Sequence, residues 1–240
     1  LLITGFAAGM FATNCYVVAD RPGSEAVIID PGQDSAASVR ALLAEHSLTP
    51  VAVLLTHGHL DHTWDAAVLC DEYSIPAYIH PADRHMLADP ASGIGPALSS
   101  VIGGIVFREP EKVIEFVDGE PVDLAGIGFD VDLAPGHTRG SVLLSTLADT
   151  GDGTLPVCFS GDVLFAGSIG RTDLPGGDHE QLLRSIATTL LTRSDETQVL
   201  PGHGPQTSVG RERAVNPFLA GLPGVDDSAE NGPRKGRHGL

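Results

Sequence analysis

Short apolar runs and alternating apolar and polar positions predict three early strands, over residues 1–6, 14–18 and 26–29, the last ending in the turn signal Asp30-Pro31-Gly32. A helix should follow, capped by Asp34 or Ser35, with Ala36, Val39, Leu42 and Leu43 on its inner face. Residues 51–55 are β-branched or apolar throughout, the pattern of a strand buried on both faces. That strand runs directly into Thr56-His57-Gly58-His59-Leu60-Asp61-His62, where the pattern turns helical from Asp61 to about Tyr73. A short strand is predicted over residues 75–79. Residues 89–110 are poorly patterned and glycine-rich, and read either as a mobile lid or as a surface insertion.

In the second half, strands are predicted at 113–117, 129–134, 142–147 and 155–160, the last pair joined by an Asp152-Gly153 turn. Asp178 and Gln181 form a capping-box pattern at the start of a helix whose core face is Leu182, Leu183, Ile186, Ala187 and Leu190. A strand over 197–200 and a short helix over 209–219 complete the fold. The expected organisation is one domain over residues 1–220 and a disordered, Gly-, Pro- and charge-rich tail over 221–240.

Four of these strands each hand over, within three residues, to a potential metal ligand beside a glycine. Residues 51–55 lead to His57 and His59, 129–134 to Gly136-His137, 155–160 to Gly161-Asp162, and 197–200 to Gly202-His203. Strand ends at one sheet edge are neighbours in space, so these residues can converge although they are far apart in sequence. Imidazole and carboxylate suit borderline divalent ions. Seven ligands exceed what one tetrahedral ion uses, and a shared carboxylate points to two ions about 3.5–4 Å apart.

Composition narrows the chemistry. Asp and Glu total 31 against 14 Lys and Arg, a formal charge of −17, with no basic run. A nucleic-acid partner is therefore not expected, since phosphate neutralisation supplies most of that affinity. Cys15, Cys70 and Cys158 are odd in number and form no C-x-x-C pair, which argues against a disulfide framework or thiolate site and fits a reducing cytoplasm. No apolar run is of membrane length, and no membrane association is expected.

The run Thr56 to His62, T-H-G-H-L-D-H, followed in order by His137, Asp162 and His203, resembles the signature of the metallo-β-lactamase superfamily. The resemblance covers about residues 1–219 and implies an α/β, four-layer αβ/βα sandwich of two mixed β-sheets covered by helices. It further implies that His57, His59 and His137 hold one metal, Asp61, His62 and His203 the second, and that Asp162 bridges them. Zinc is the expected ion, with iron or manganese as alternatives. Gly161-Asp162-Val163-Leu164-Phe165 and Gly170-Arg171-Thr172-Asp173-Leu174-Pro175-Gly176-Gly177-Asp178 resemble the glyoxalase II-like branch, the hydroxyacylglutathione hydrolases. That branch implies hydrolysis of a small-molecule thioester, such as S-lactoylglutathione or a related thiol conjugate, by metal-activated water that Asp61 orients. The chain departs from it where lysine and tyrosine groups for glutathione would stand.

Alternatives remain at this stage. Gly170-Arg171-Thr172-Asp173 also resembles persulfide dioxygenases, in which a single iron would use His57, His137 and Asp162. A lactonase or other esterase, and a non-catalytic metal protein on the same fold, are further readings. Arg171 is a candidate substrate-binding residue, gripping a carboxylate, or else a structural partner of Asp173 or Asp178. Asp30 is either a turn residue or a partner of a ligand histidine. Cys158 reads as a core thiol and Trp64 as packing on the helix after the ligands. His46, His80, His85, His179 and His238 read as ordinary surface or core histidines.

Overall fold

The computed structural model of the chain describes residues 1–99, 105–151 and 153–223. Most of the expected tail (224–240, including His238) lies outside the described residues, as does Asp152 of the expected turn.

The first half builds one mixed sheet. Strands β1 (Leu2–Ala8), β2 (Thr13–Ala19) and β3 (Glu25–Ile29) pair antiparallel. Next come helix α1 (Ala36–Glu45), strand β4 (Thr49–Leu54), helices α2 (Leu60–Thr63) and α3 (Ala66–Tyr73), β5 (Ala77–Ile79), α4 (Pro81–Arg84), α5 (Ala91–Ser99) and β6 (Val113–Glu115). Strands β3 to β6 are parallel neighbours, and the sheet order is β1-β2-β3-β4-β5-β6.

The second half builds the other mixed sheet from β7 (Val122–Leu124), β8 (Ile127–Leu133), β9 (Val142–Asp149) and β10 (Thr154–Gly161). A small ribbon, β11 (Leu164–Phe165) with β12 (Ser168–Ile169), precedes helix α6 (His179–Ser185), which continues as a π-turn over Ile186–Leu190. Strands β13 (Gln198–Pro201) and β14 (Thr207–Ser208) and helix α7 (Val209–Val215) follow. The order is β14-β13-β10-β9-β8-β7, with β10 and β13 parallel and the other pairs antiparallel.

Alternation along β4 explains the layering. Ala52 and Leu54 join Val27 and Ile29 against Phe129, Val131, Leu144 and Phe159 of the second sheet, the core between the sheets. Val53 and Leu55 face the other way, under Val39 and Leu43 of α1 and Leu69 of α3. On the far side of the second sheet, Leu143, Cys158 and Val199 pack against Leu182, Ile186 and Leu190. Helix, sheet, sheet and helix thus form the expected four-layer αβ/βα sandwich, with β4 buried on both faces.

Several local expectations are corrected. The single helix expected from Asp61 to Tyr73 is broken between α2 and α3, where Asp65 leaves helical geometry at φ −95°, ψ 4°. The side chain of Asp65 is used elsewhere: its carboxylate accepts the Ala36 N–H at 2.8 Å and so caps α1. Neither Asp34 nor Ser35 supplies that cap, since Ser35 makes no side-chain capping bond and Asp34 sits at φ 59°. Part of the unpatterned stretch 89–110 is helical, α5, interrupted at Gly95, whose φ of 71° only glycine adopts readily. The capping box is half formed. Asp178 accepts the Gln181 N–H at 2.9 Å, while the Gln181 side chain turns to Ser185. The last helix stops at Val215, because Pro217 cannot continue it, and a 3-10 turn covers Pro217–Leu219.

Candidate metal centre

All four ligand-bearing strand ends meet at one edge of the sandwich. Strand β4 delivers the loop from Thr56 into α2, and the Thr56 carbonyl accepts the Val142 N–H at 2.8 Å, tying that loop to the second sheet. Parallel pairing of β10 with β13 sets Gly161 opposite Pro201, so Asp162 and His203 emerge side by side, joined by Gly202 N–H to Gly161 C=O at 2.8 Å. Gly202 is required by closeness: a methyl group there would overlap Asp162 Oδ1 and His62. On the other side of His203, the Asn14 amide donates to the Pro201 and Gly204 carbonyls at 2.9 Å, and the Tyr16 hydroxyl to Pro201 at 2.7 Å.

The structure brings together all seven residues singled out from the sequence. His59 Nδ1 lies 2.9 Å from His137 Nε2, and His62 Nε2 lies 3.3 Å from His203 Nε2. His203 Nε2 is 3.1 Å from Asp61 Oδ2. Asp162 reaches both halves, with Oδ1 3.3 Å from His62 Nε2 and Oδ2 3.5 Å from His137 Nε2 and 3.6 Å from His203 Nε2.

The neighbours of each imidazole set which nitrogen is free. His62 Nδ1 points at Asp30 Oδ2, 2.9 Å away, so in the neutral ring the proton sits there and Nε2 faces the cluster with its lone pair. His137 Nδ1 donates to the Arg171 carbonyl at 2.7 Å, with the same result. Thr56 donates its hydroxyl proton to Asp30 at 2.6 Å and receives His57 Nδ1–H at 3.1 Å, which again frees Nε2. Asp30 is therefore a partner of the candidate ligands His62, directly, and His57, through Thr56, held at a left-handed φ of 49° that aspartate tolerates better than most residues.

Electrostatics describe donors awaiting positive charge. Burial, reinforced by the surrounding imidazoles, drives His57 well below its ordinary value, and burial holds His59 down to about 3, so both carry lone pairs at neutral pH. At His62 burial also opposes the charged form, but Asp162, Asp61 and Asp30 outweigh it and pull this imidazole well above its usual range. Burial would raise Asp61 and Asp162, yet nearby His62 and His203 hold both below the ordinary carboxylate range.

A divalent cation fits this set. His57 Nε2 and Asp162 Oδ1 are buried with no hydrogen-bond partner among the described residues, an arrangement that costs about 1–3 kcal/mol per group unless something else satisfies it. The donors fall into three overlapping groups, His57-His59-His137, His57-His62-Asp162 and Asp61-His62-His203, whose ligand atoms lie within 4.8 Å of one another. Donor separations of 2.9–3.6 Å match the edge of about 3.4 Å expected for a tetrahedron of zinc bonds near 2.1 Å.

Other residues brace the centre and were not apparent from the sequence. Asp83 is fully buried and accepts from Gly58 N–H at 3.0 Å, Gly140 N–H at 2.8 Å and the Thr138 hydroxyl at 2.6 Å. It thereby locks the His57-His59 loop to the His137 loop. Thr13, fully buried on β2, donates to Asp61 Oδ2 at 3.1 Å.

A cavity of about 540 Å³ opens onto the centre and is lined by apolar residues including Phe11, Trp64, Ile94, Ile105 and Phe165. Trp64 was expected to pack on the following helix. It sits instead at the helix break, edge-on to Phe107 at 5.2 Å, and faces the cavity. Ile94 and Ile105 bring parts of the 89–110 excursion to the cavity wall. Arg171 lines the cavity too, with its guanidinium bonded through Nε and Nη2 to both carboxylate oxygens of Asp173, at 2.7 and 2.8 Å. Cys158 is a buried core thiol, as expected.

Comparison with known proteins agrees with this geometry. A protein of Mycobacterium tuberculosis named only as uncharacterized is 52% identical over 223 residues, covering 92% of this chain and 99% of that protein. A probable metallo-hydrolase of Bacillus subtilis is 39% identical, covering 89% of this chain and 95% of the relative. A hydroxyacylglutathione hydrolase of Haemophilus influenzae is 34% identical, covering 87% and 93%. Among solved structures, the BLEG-1 B3 metallo-beta-lactamase is 40% identical, with a TM-score of 0.79, and covers 92% of this chain and 100% of that one. TTHA1623 in a di-iron-bound form is 36% identical, with a TM-score of 0.73 and coverage of 90% and 100%. ETHE1 from Myxococcus xanthus is 26% identical, with the same TM-score and coverage of 92% and 85%. Residues 8–203 match the sequence profile of the metallo-beta-lactamase superfamily. With its fold, its ligand set and this match in agreement, the chain belongs to the metallo-β-lactamase superfamily of metal-dependent hydrolases.

Proposed function

We propose that this chain hydrolyses a small-molecule thioester, in the manner of the glyoxalase II-like branch, using two divalent ions held by His57, His59 and His137 on one side and Asp61, His62 and His203 on the other, with Asp162 between. The observation that carries the reading is the second ligand group, Asp61-His62-His203, standing complete beside the first. A single-iron dioxygenase using His57, His137 and Asp162 would leave that group without a function. Zinc is the proposed ion, and the di-iron form of one structural relative makes iron the first alternative to test. The hydroxyacylglutathione hydrolase among the relatives supports the thioester class.

Bound divalent ions supply Lewis acidity and bring the ionisation of water down to about pH 7. The chain's own groups do the rest. Asp61, steadied by the Thr13 hydroxyl, stays ionised and orients the attacking water, whose proton passes to bulk solvent. Asp30 and Thr56 hold His62 and His57 in the tautomers that turn Nε2 inward. Water oxygen adds to the thioester carbonyl, the C–S bond breaks with its electron pair leaving on sulfur, and an acid and a thiol are released. Because thiols ionise near pH 8.5, the leaving group needs no strong general acid. The free thiols of Cys15, Cys70 and Cys158 support a reducing, cytoplasmic setting, and the net charge of −17 argues against a nucleic-acid partner. No helix among the described residues is long and apolar enough to cross a membrane.

The test is thiol release from lactoyl thioesters by metal-loaded protein, with oxygen uptake recorded in parallel. Asp61→Ala is expected to lower kcat at least ~100-fold, beyond the 10–100-fold usual for changes outside the ligand shell. Turnover by metal-free protein, or oxygen consumption with persulfide in place of thiol release, would overturn the reading.

A further inference from the structure

We propose that the cavity selects thioesters whose acyl group is an uncharged aliphatic chain, and that the thiol carrier is not recognised through carboxylates, because an apolar wall meets the metal centre on one side and the one guanidinium among the described lining residues is paired with Asp173. The proposal rests on the thioester reading above and names the substrate class within it.

Phe11 from the β1–β2 connection, Trp64 at the helix break, Ile94 on α5, Ile105 before β6, Phe165 on β11 and Leu174 after β12 all line the cavity. Polar side chains in the described lining are the candidate metal ligands, Gln33, Arg171 and the indole N–H of Trp64. Gln33 Oε1 accepts the Met10 N–H at 3.2 Å, and its amide group carries no charge to offset a carboxylate. Arg171 is the only Lys or Arg among the described residues lining the cavity, and its charge is paired with Asp173 through Nε and Nη2.

A carrier such as glutathione presents two carboxylates, and each needs a cation or a set of free donors when it leaves water. The one cation of the described lining is already paired with Asp173, and a molecule of net charge −17 repels such a carrier at longer range. An aliphatic chain makes the opposite match. Each methylene moved from water onto this wall should tighten transition-state binding about fourfold. A volume of about 540 Å³ lies within the ~300–1,000 Å³ typical of sites that enclose a small organic ligand.

The experiment uses the metal-loaded full chain and two readouts. First, kcat/KM is measured for straight-chain acyl thioesters of N-acetylcysteamine, from acetyl to octanoyl, and for the same acyl groups on glutathione. The expected result is a rise of about fourfold per methylene until the cavity is filled, with no gain on moving from N-acetylcysteamine to glutathione. Second, Trp64 is the single tryptophan of the chain and lines the cavity, so its fluorescence reports binding of non-hydrolysable alkyl thioethers without any turnover. Affinity should climb with chain length in the same way, and Ile105→Asp, a change at a half-exposed position, should flatten both slopes. Hydrolysis without chain-length dependence, or a tenfold preference for the glutathione conjugates, would overturn this inference and leave the thioester reading standing. Chain-length-dependent thioether binding with no hydrolysis of any thioester would support the apolar site and overturn the thioester reading instead.

Discussion

Gly202 lies against two candidate metal ligands, and any side chain there must displace Asp162 or His62. Both neighbours are held from behind, Asp162 by the strand end it grows from and His62 by Asp30, so neither can yield. Gly202→Ala is accordingly expected to fold but to lose most of its metal. Circular dichroism together with elemental analysis checks this, and full metal content in the variant would contradict it. At this scale the convergence of the seven candidate ligands was legible in the sequence, because their types, order and neighbouring glycines form a specific pattern. Thr13 and Asp83 were illegible for a physical reason. Their roles come from contacts across 48 and 55 residues, Thr13 with Asp61 and Asp83 with Thr138, and nothing in their local sequence marks them. Arg171 lay between these cases, since sequence could offer a ligand-binding or a structural role, and the geometry pairs it with Asp173.

Elements with strong periodicity followed the predicted pattern, and those whose limits depend on tertiary contacts did not. Strands β3, β4, β8, β9, β10 and β13 lie close to their predicted spans, because burial on one or both faces writes itself into apolar alternation or apolar runs. The break between α2 and α3 could not be read locally, since helical periodicity continues across it. It exists because Asp65 turns aside to cap α1, thirty residues earlier in the chain. Removing that acceptor in Asp65→Ala should cost about 1 kcal/mol, as for other lost caps, and lower Tm by roughly 2–4 °C. A thermal melt of metal-loaded protein tests it, and an unchanged Tm would mean that the bond contributes nothing. The two-residue strands β11, β12 and β14 escaped notice because so short a run carries no period.

Across the whole molecule, two sheets that each bury both faces leave the thiols deep inside. Cys15 and Cys158 are raised by burial, and burial pushes the Cys70 thiol up to about 12. The folded state therefore keeps protons that the unfolded chain releases above about pH 8.5, so stability is constant below that pH and falls as pH rises beyond it. The loss is at most about 1.4 kcal/mol per thiol per pH unit. Urea midpoints measured from pH 7 to 10 should decline only above about pH 8.5, and less steeply in a Cys70→Ala variant. A flat profile would contradict the buried-thiol account.

The same sandwich gathers one ligand loop from the first sheet and three from the second, and the account depends on that gathering being matched by metal. Elemental analysis of the purified full chain after loading with zinc and removal of unbound ion tests this most directly. Two ions per chain are predicted for the native sequence, with a marked fall on His203→Ala. A chain that retains no ion, or whose content is unchanged by loss of His203, would contradict the account.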